Sequence, residues 1–260
     1  MTRRSFPTRQ GSFRDGTRSL IAVHTAGIGT CDTSIRDGSW RRSGPPKFPL
    51  IPGVDGVGTV VAKGARVRRF AIGDTVYAYE FGNSRGGFYA QFAVADAEHV
   101  SPVPKGLDAR AAGAAAVTGL TAMQGIEKLV KRLGAKKVID ARNLESIEQL
   151  REFAPDGLDR VLALAGGKAL ERCLEFVHPQ GRVVYPNGIE PEPIARRTFR
   201  IGAFDAVASP REFGKLQRRI DSGKIRVPIT TVYSLARAAD AHRHLDRGHV
   251  LGRMVFGVRR

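Results

Sequence analysis

Residues 108–130 read DARAAGAAAVTGLTAMQGIEKLV and divide the chain into halves of different periodicity. The Ala-rich composition, apolar residues at helical spacing and Asp108 as an N-cap predict a helix over 111–130. Upstream, short runs rich in Val, Tyr, Phe and Ile lie at 20–26, 56–62, 75–79 and 88–94, separated by turns at 43–46, 72–74 and 82–87. Short strands at regular spacing without helices predict a barrel or sandwich. Downstream, strands expected at 138–140, 161–165, 182–185, 200–204 and 253–258 alternate with helices at 144–153, 168–177, 210–222 and 236–247. Such alternation implies parallel strands joined by right-handed crossovers. The pattern thus gives a β-rich domain followed by an α/β domain, with no internal repeat.

The 260 residues are 42% hydrophobic, enough to bury a core and to exclude wholesale disorder. Cys31 and Cys173 are the two cysteines, so a disulfide framework is excluded, and no CxxC or Cys/His spacing suggests structural zinc. No apolar run reaches the roughly 18 residues of a membrane span, which predicts a soluble protein of a reducing compartment. The formal charge of +17, from 42 Lys+Arg against 25 Asp+Glu, raises nucleic acid as a partner. The charge is spread among Glu and Asp without interleaved aromatics, so an Arg-rich solvated surface is the preferred reading. It is denser at the ends: five Arg against Asp15 in residues 1–19, six Arg against Asp240 and Asp246 in 236–260. The opening TRRSF is similar to a twin-arginine export signal, yet the apolar stretch such a signal needs does not follow. Residues 1–19 are therefore expected to be a basic, unstructured extension, and the location cytoplasmic.

Several motifs together carry a resemblance. VHTAGIGT at 23–30, FPLIPGVDGVGTVV at 48–61, FAIGDTVYAY at 70–79, VTGLTA at 117–122 and the closing GRMV at 252–255 resemble the medium-chain dehydrogenase/reductase superfamily, closest to its zinc-independent quinone oxidoreductases. The resemblance implies a GroES-like β-barrel domain over 20–118, a Rossmann-type parallel-sheet domain over 119–228, and a segment over 229–260 returning to the β-domain. It further implies NADP(H) as cofactor, a quinone or enone as substrate, and a homodimer paired through an edge strand at 200–204. Zinc-dependent relatives hold their metal with a Cys and a His-Glu pair. Those positions here are Gly29 and Val54-Asp55, so no metal is expected. Cys31 reads as a small buried thiol, and His242, His244 and His249 as surface residues whose spacing does not share one helix face.

One family feature is missing. The Gly-rich turn that holds the cofactor pyrophosphate should follow the helix ending near 129, and no GxGxxG occurs anywhere. Instead the chain runs directly into LVKRLGAKKVID at 129–140, which by resemblance leads into the third strand. A βαβ unit of ~30 or more residues thus reads as deleted. Asp140 is then placed on the third strand, away from the ribose-binding position, and the remaining parallel strands lose neighbours.

By resemblance, Thr118, Ala165, Gly166, Tyr185, Asn187, Gly188 and Arg253 would bind the cofactor, and Thr30 and Asp32 would face the substrate. Each also has a plain structural reading: Thr118 bonding within its helix, Gly166, Gly167 and Gly188 as turns, Tyr185 in the core, Asp32 in a turn or on the surface, Arg253 solvated. The expected function is NADPH-dependent, zinc-free hydride transfer to a quinone or enone. The alternative is a truncated relative deficient in cofactor binding, left with a ligand-binding or dimer-forming role. Nucleic acid and membrane are not expected partners.

Overall fold

The computed structural model describes residues 16–40, 48–81, 87–129, 146–248 and 250–259. The expectations for residues 1–15, the turn at 43–46, the turn at 82–87 except Gly87, the strand at 138–140 with Asp140, and His249 fall outside these residues. Two compact units emerge. One runs to Leu120 and resumes at Val207; the other is Thr121–Ala206.

The first unit is built on β1 (Arg18–Ile28), whose residues are buried almost without interruption. That burial follows from its position. β1 pairs with β2 (Asp55–Lys63) along one edge, and along the other first with β4 (Phe92–Asp96) and then with β10 (Arg253–Gly257). The sheet extends from β2 to β3 (Thr75–Tyr79) and β5 (Val100–Pro102), and from β10 to β9 (Ile229–Ser234), giving seven strands. Ile21, Val23, Val60, Val76, Phe88 and Phe256 are among the side chains filling its core. Close approach of β1 and β2 requires Gly58, where a Cβ would stand 2.1 Å from the Ala22 carbonyl oxygen. This seven-stranded mixed sheet stands where the resemblance implies a GroES-like β-barrel domain.

The helix expected at 111–130 is two helices, α2 (Ala109–Gly113) and α3 (Ala116–Leu129), with a break at Ala114. Asp108 caps α2 by accepting the Ala111 N–H at 2.7 Å. The break has a tertiary cause: Gly113 lies against β1, where a Cβ would meet Thr25 at 2.7 Å, and α3 must start afresh beyond that contact. A short helix not foreseen, α1 (Thr30–Asp37), follows β1.

The second unit contains α4 (Ser146–Phe153), β6 (Leu158–Leu162), α5 (Lys168–Leu174), β7 (Val177–Pro186) and β8 (Arg200–Phe204). Its three strands are parallel in the order β6-β7-β8, as the alternation implies. β6 begins three residues before the expected strand, because Leu158 pairs with Val177 and packs on Leu174 and Val183. Among the described residues β6 pairs with β7 alone, so its other edge has no strand neighbour.

The boundary expected at 228 differs from the one observed. α6 (Pro210–Asp221), begun by Ser209, whose Oγ accepts the Glu212 N–H at 3.3 Å, belongs to the first unit. Its apolar stripe of Phe213, Leu216 and Ile220 is buried. Phe213 meets Tyr77 edge-on at 5.1 Å, and Leu216 lies over Gly119. Likewise Arg18 and Ser19, expected in the extension, already belong to β1. α7 (Ala238–Asp246) completes the unit between β9 and β10. Among the described residues no helix is long and apolar enough to cross a membrane.

Phe213→Ala should lower the unfolding free energy by about 3–5 kcal/mol in a urea titration, the cost of emptying a filled core position. A loss well below 1 kcal/mol would contradict the packing of α6 on β3.

Candidate functional site

The chemistry of the first unit gathers around the turn joining β1 to α1. Asp32 is fully buried, and both its oxygens are engaged: Oδ2 accepts the Gly29 N–H at 2.9 Å, and Oδ1 accepts those of Gly53 and Val54 at 3.1 and 3.2 Å. The first bond closes the α1 N-terminus, and the other two tie α1 to the loop entering β2. The buried Tyr89 hydroxyl lies beside the same carboxyl, outside good hydrogen-bond geometry. Burial raises the Asp32 pKa, and the backbone donors and Arg253 oppose the rise.

Asp55, the first residue of β2, is also buried and accepts the Val117 N–H in the first turn of α3 at 3.2 Å. It caps that helix from another strand, which is the sense of the α2–α3 break. Burial pushes its pKa from 3.8 to about 7, with Asp32 adding to the rise and Arg253 opposing it.

Arg253, at the start of β10, brings the positive charge. Its Nη2 lies 3.6 Å from the point where a Gly29 side chain would begin, a point also 3.6 Å from Asp32 Oδ2 and 3.5 Å from Cys31 Sγ. The Arg253 Nε is buried without a hydrogen-bond partner among the described residues. Cys31 is partly exposed, yet its thiol sits in a buried, anion-flanked position that raises its pKa well above the ordinary value. Such a thiol stays protonated at neutral pH and is a poor nucleophile.

The sequence-predicted residues thus separate. Asp32 departs from the substrate-facing role because its oxygens are spent on backbone amides. Thr30 is exposed at the start of α1, and Thr118 is exposed on α3, one residue past the amide that Asp55 holds. Arg253 stands beside Gly29 and is not a solvated surface residue. His242 and His244 point to different partners: His242 is buried against Arg36 Nη1 at 3.1 Å, while His244 bonds the Tyr233 hydroxyl at 2.8 Å. Missed in the sequence were Asp55 as a helix cap and an aromatic group. Trp40 and Phe81 have ring centroids 5.0 Å apart, and Tyr79, which pairs with Asp55 across β2–β3, lies 6.5 Å from Phe81. The closely spaced aromatics at 77, 79 and 81 were the available signal.

In the second unit the predicted residues occupy the loops after β6 and β7, the edge where open parallel sheets bind ligands. Ala165 is exposed beside Leu164; Gly167 turns the chain into α5 at φ +96°; Gly188 turns it after β7 at φ +87°. Gly166 has a packing reason of its own, since a Cβ there would stand 2.0 Å from the Pro191 oxygen. Tyr185 is buried as its core reading implies, and its hydroxyl donates to Glu192 Oε1 at 2.6 Å. The Asn187 N–H bonds the Phe204 carbonyl at 2.9 Å, fixing the β7 loop to β8.

With this geometry in place, the likeness to known proteins is specific. The family described as alcohol dehydrogenase GroES-like domain matches residues 15–105, and that described as zinc-binding dehydrogenase matches 133–256. The chain belongs to the medium-chain dehydrogenase/reductase superfamily. Within it the chain is quinone oxidoreductase-like. Mouse quinone oxidoreductase is 26% identical over 287 aligned residues, covering 88% of this chain and 85% of the relative. That alignment is longer than the 260-residue chain itself, so the relative carries residues without counterparts here. An Arabidopsis thaliana chloroplastic NADPH-dependent alkenal/one oxidoreductase is 25% identical over 283 residues, covering 91% of this chain and 71% of the relative. The solved quinone oxidoreductase from Coxiella burnetii superposes with a TM-score of 0.77 at 23% identity, over 94% of this chain and 91% of that one, and supports the fold.

The raised Asp55 pKa sets a pH test. The folded state holds its proton up to about pH 7, whereas the unfolded carboxyl loses it near 3.8. The stabilisation from this group is full below about pH 4 and declines as pH rises to about 7. Asp55→Asn removes that decline, so its unfolding midpoint relative to wild type should climb across this window and then level off. A midpoint difference independent of pH would contradict the assignment.

Proposed function

We propose that the protein is an NADP(H)-dependent oxidoreductase that reduces quinones or enones by hydride transfer without zinc. The observation that carries this reading is the arrangement around Gly29. The family's metal-ligand positions hold Gly29, Val54 and Asp55, which offer neither thiolate nor imidazole, and the Arg253 guanidinium stands there with an unpartnered buried donor. A guanidinium in a desolvated site can stabilise developing negative charge on an oxygen, which is the task left when zinc is absent.

The residues present fit one end of a dinucleotide. The turns after β6 and β7, with exposed Leu164 and Ala165, suit the nicotinamide end at the carboxyl edge of the sheet. The pyrophosphate end has no Gly-rich cradle in the sequence. A missing βαβ unit accounts for that, and the alignment longer than the chain supports it. When bound, the reduced nicotinamide supplies a hydride. The chain's own residues then receive the consequences. Within the first unit, Arg253 would donate to the substrate carbonyl oxygen as negative charge develops there, Thr30 would position that carbonyl, and Trp40, Tyr79 and Phe81 would offer faces to a flat ring. Water supplies the proton that completes reduction. Thr118 is held in place through Asp55 and the first turn of α3, and Asp32 fixes the turn bearing Thr30. We place this activity in the cytoplasm and in a homodimer joined along the edge of β8 that pairs with no strand among the described residues; a monomer by light scattering would contradict the dimer.

A second reading, a relative that has lost cofactor binding, is favoured by the absent Gly-rich turn alone. Thermal unfolding with ~1 mM NADPH separates the two, since a dissociation constant near 10 μM would stabilise the fold by about 2.7 kcal/mol. We expect a clear shift, enone or quinone turnover unaffected by a chelator, and a loss of roughly 10²–10³ in kcat for Arg253→Gln with little change in cofactor KM. A cooperative transition that NADPH does not move would favour the second reading.

A further inference from the structure

The basic C-terminal stretch becomes a cavity once folded. Between β9 and α7 lies an open concavity of about 320 Å³ lined by Tyr233, Arg237, Asp240, Arg243, His244 and Arg247. No member of it belongs to the Asp32–Asp55–Arg253 group. Residues 237, 240, 243, 244 and 247 recur at helical spacing, so α7 and its two ends present them on one side.

The lining is tied together by ion pairs. Asp240 accepts Arg237 Nε at 2.9 Å through one oxygen and Arg243 Nη2 through the other, drawing two exposed guanidinium groups to the same carboxylate. The two arginines keep the Asp240 carboxyl below its ordinary pKa, so it stays ionised. Arg237 also lies over the Tyr233 ring, 5.6 Å from its centroid, and the Tyr233 hydroxyl engages His244 Nδ1. Among the described residues these bonds leave both Nη groups of Arg237, the Nε and Nη1 of Arg243, and the Arg247 guanidinium to donate. Arg247 makes no ion pair among the described residues.

Three guanidinium groups thus face one carboxylate in a single concavity, and the balance calls for an anion. A carboxylate ligand, with two oxygens, satisfies one guanidinium fork; a tetrahedral phosphoryl group has enough oxygens to meet donors arriving from three directions. The volume exceeds one phosphate and falls at the lower end of small-ligand sites, about 300–1,000 Å³. We propose that this pocket binds the phosphoryl group of a small phosphate ester, independently of the proposed hydride transfer.

The test uses the full chain with inorganic pyrophosphate and phenyl phosphate as probes, followed by calorimetry at constant ionic strength. Saturable one-site binding is expected, weakened at least about tenfold in the double variant Arg243→Gln/Arg247→Gln, which is a change of roughly 1.4 kcal/mol. The charge-matched control Arg68→Gln/Arg110→Gln, at exposed positions elsewhere, should bind as wild type does. If the double variant unfolds early, Arg247→Gln alone, which disturbs no ion pair with Asp240, should still weaken binding several-fold. Heat that tracks ionic strength without saturating, or equal weakening in the control, overturns the proposal. So does duplex DNA binding that neither probe displaces and that both double variants weaken alike, which would assign the charge to a diffuse polyanion surface.

Discussion

Two buried carboxylates hold together the part of the molecule where chemistry is concentrated. Asp32 and Asp55 accept four backbone N–H groups from three places in the sequence: Gly29, the Gly53-Val54 pair and Val117. Burying a carboxylate is costly unless its lone pairs are occupied and a positive charge is near. Here the amides occupy the oxygens and Arg253 supplies the charge, though burial still dominates and raises both pKa values. The reciprocal constraint is as strong, because those amides would be orphaned without the carboxylates. The β1–α1 turn, the entry to β2 and the start of α3 are therefore positioned by the same pair.

In the proposed reading, this arrangement also accounts for a site that works without zinc. The positions that by resemblance would carry metal ligands are a glycine, a valine and a carboxylate turned toward a helix terminus. The buried Gly29 is bordered by a guanidinium, a protonated thiol and a fully engaged carboxylate. Of these, the guanidinium has the charge and the strong donors to offer a substrate, the thiol S–H being a weak donor, which is why the proposed chemistry centres on Arg253.

The β-rich and α/β halves were legible because period-2 runs and alternating helices are local patterns. β3 and β8 were read to the residue, since turns or polar flanks mark both their ends. What failed was tertiary in origin. The α2–α3 break depends on Gly113 meeting Thr25 and on Asp55 capping Val117, contacts no window of sequence contains. α6 reads as an amphipathic helix but carries no sign of which unit will cover Phe213. Asp32 is a related case: resemblance places it facing the substrate, with a turn or the surface as its plain reading, and its burial depends on the distant Gly53 and Val54 amides. The Arg-rich tail was visible as charge, whereas the sharing of Asp240 by two arginines required the helix itself.

The central proposal is that the nicotinamide end of a cofactor site persists on a chain whose sequence holds no GxGxxG turn. Saturation-transfer NMR on NADPH mixed with the protein addresses it directly, since saturation reaches the ligand protons held closest to the protein. The account predicts strong transfer to the nicotinamide ring protons and weak transfer to the adenine protons. Equal or stronger transfer to adenine, or none to either ring, would contradict it.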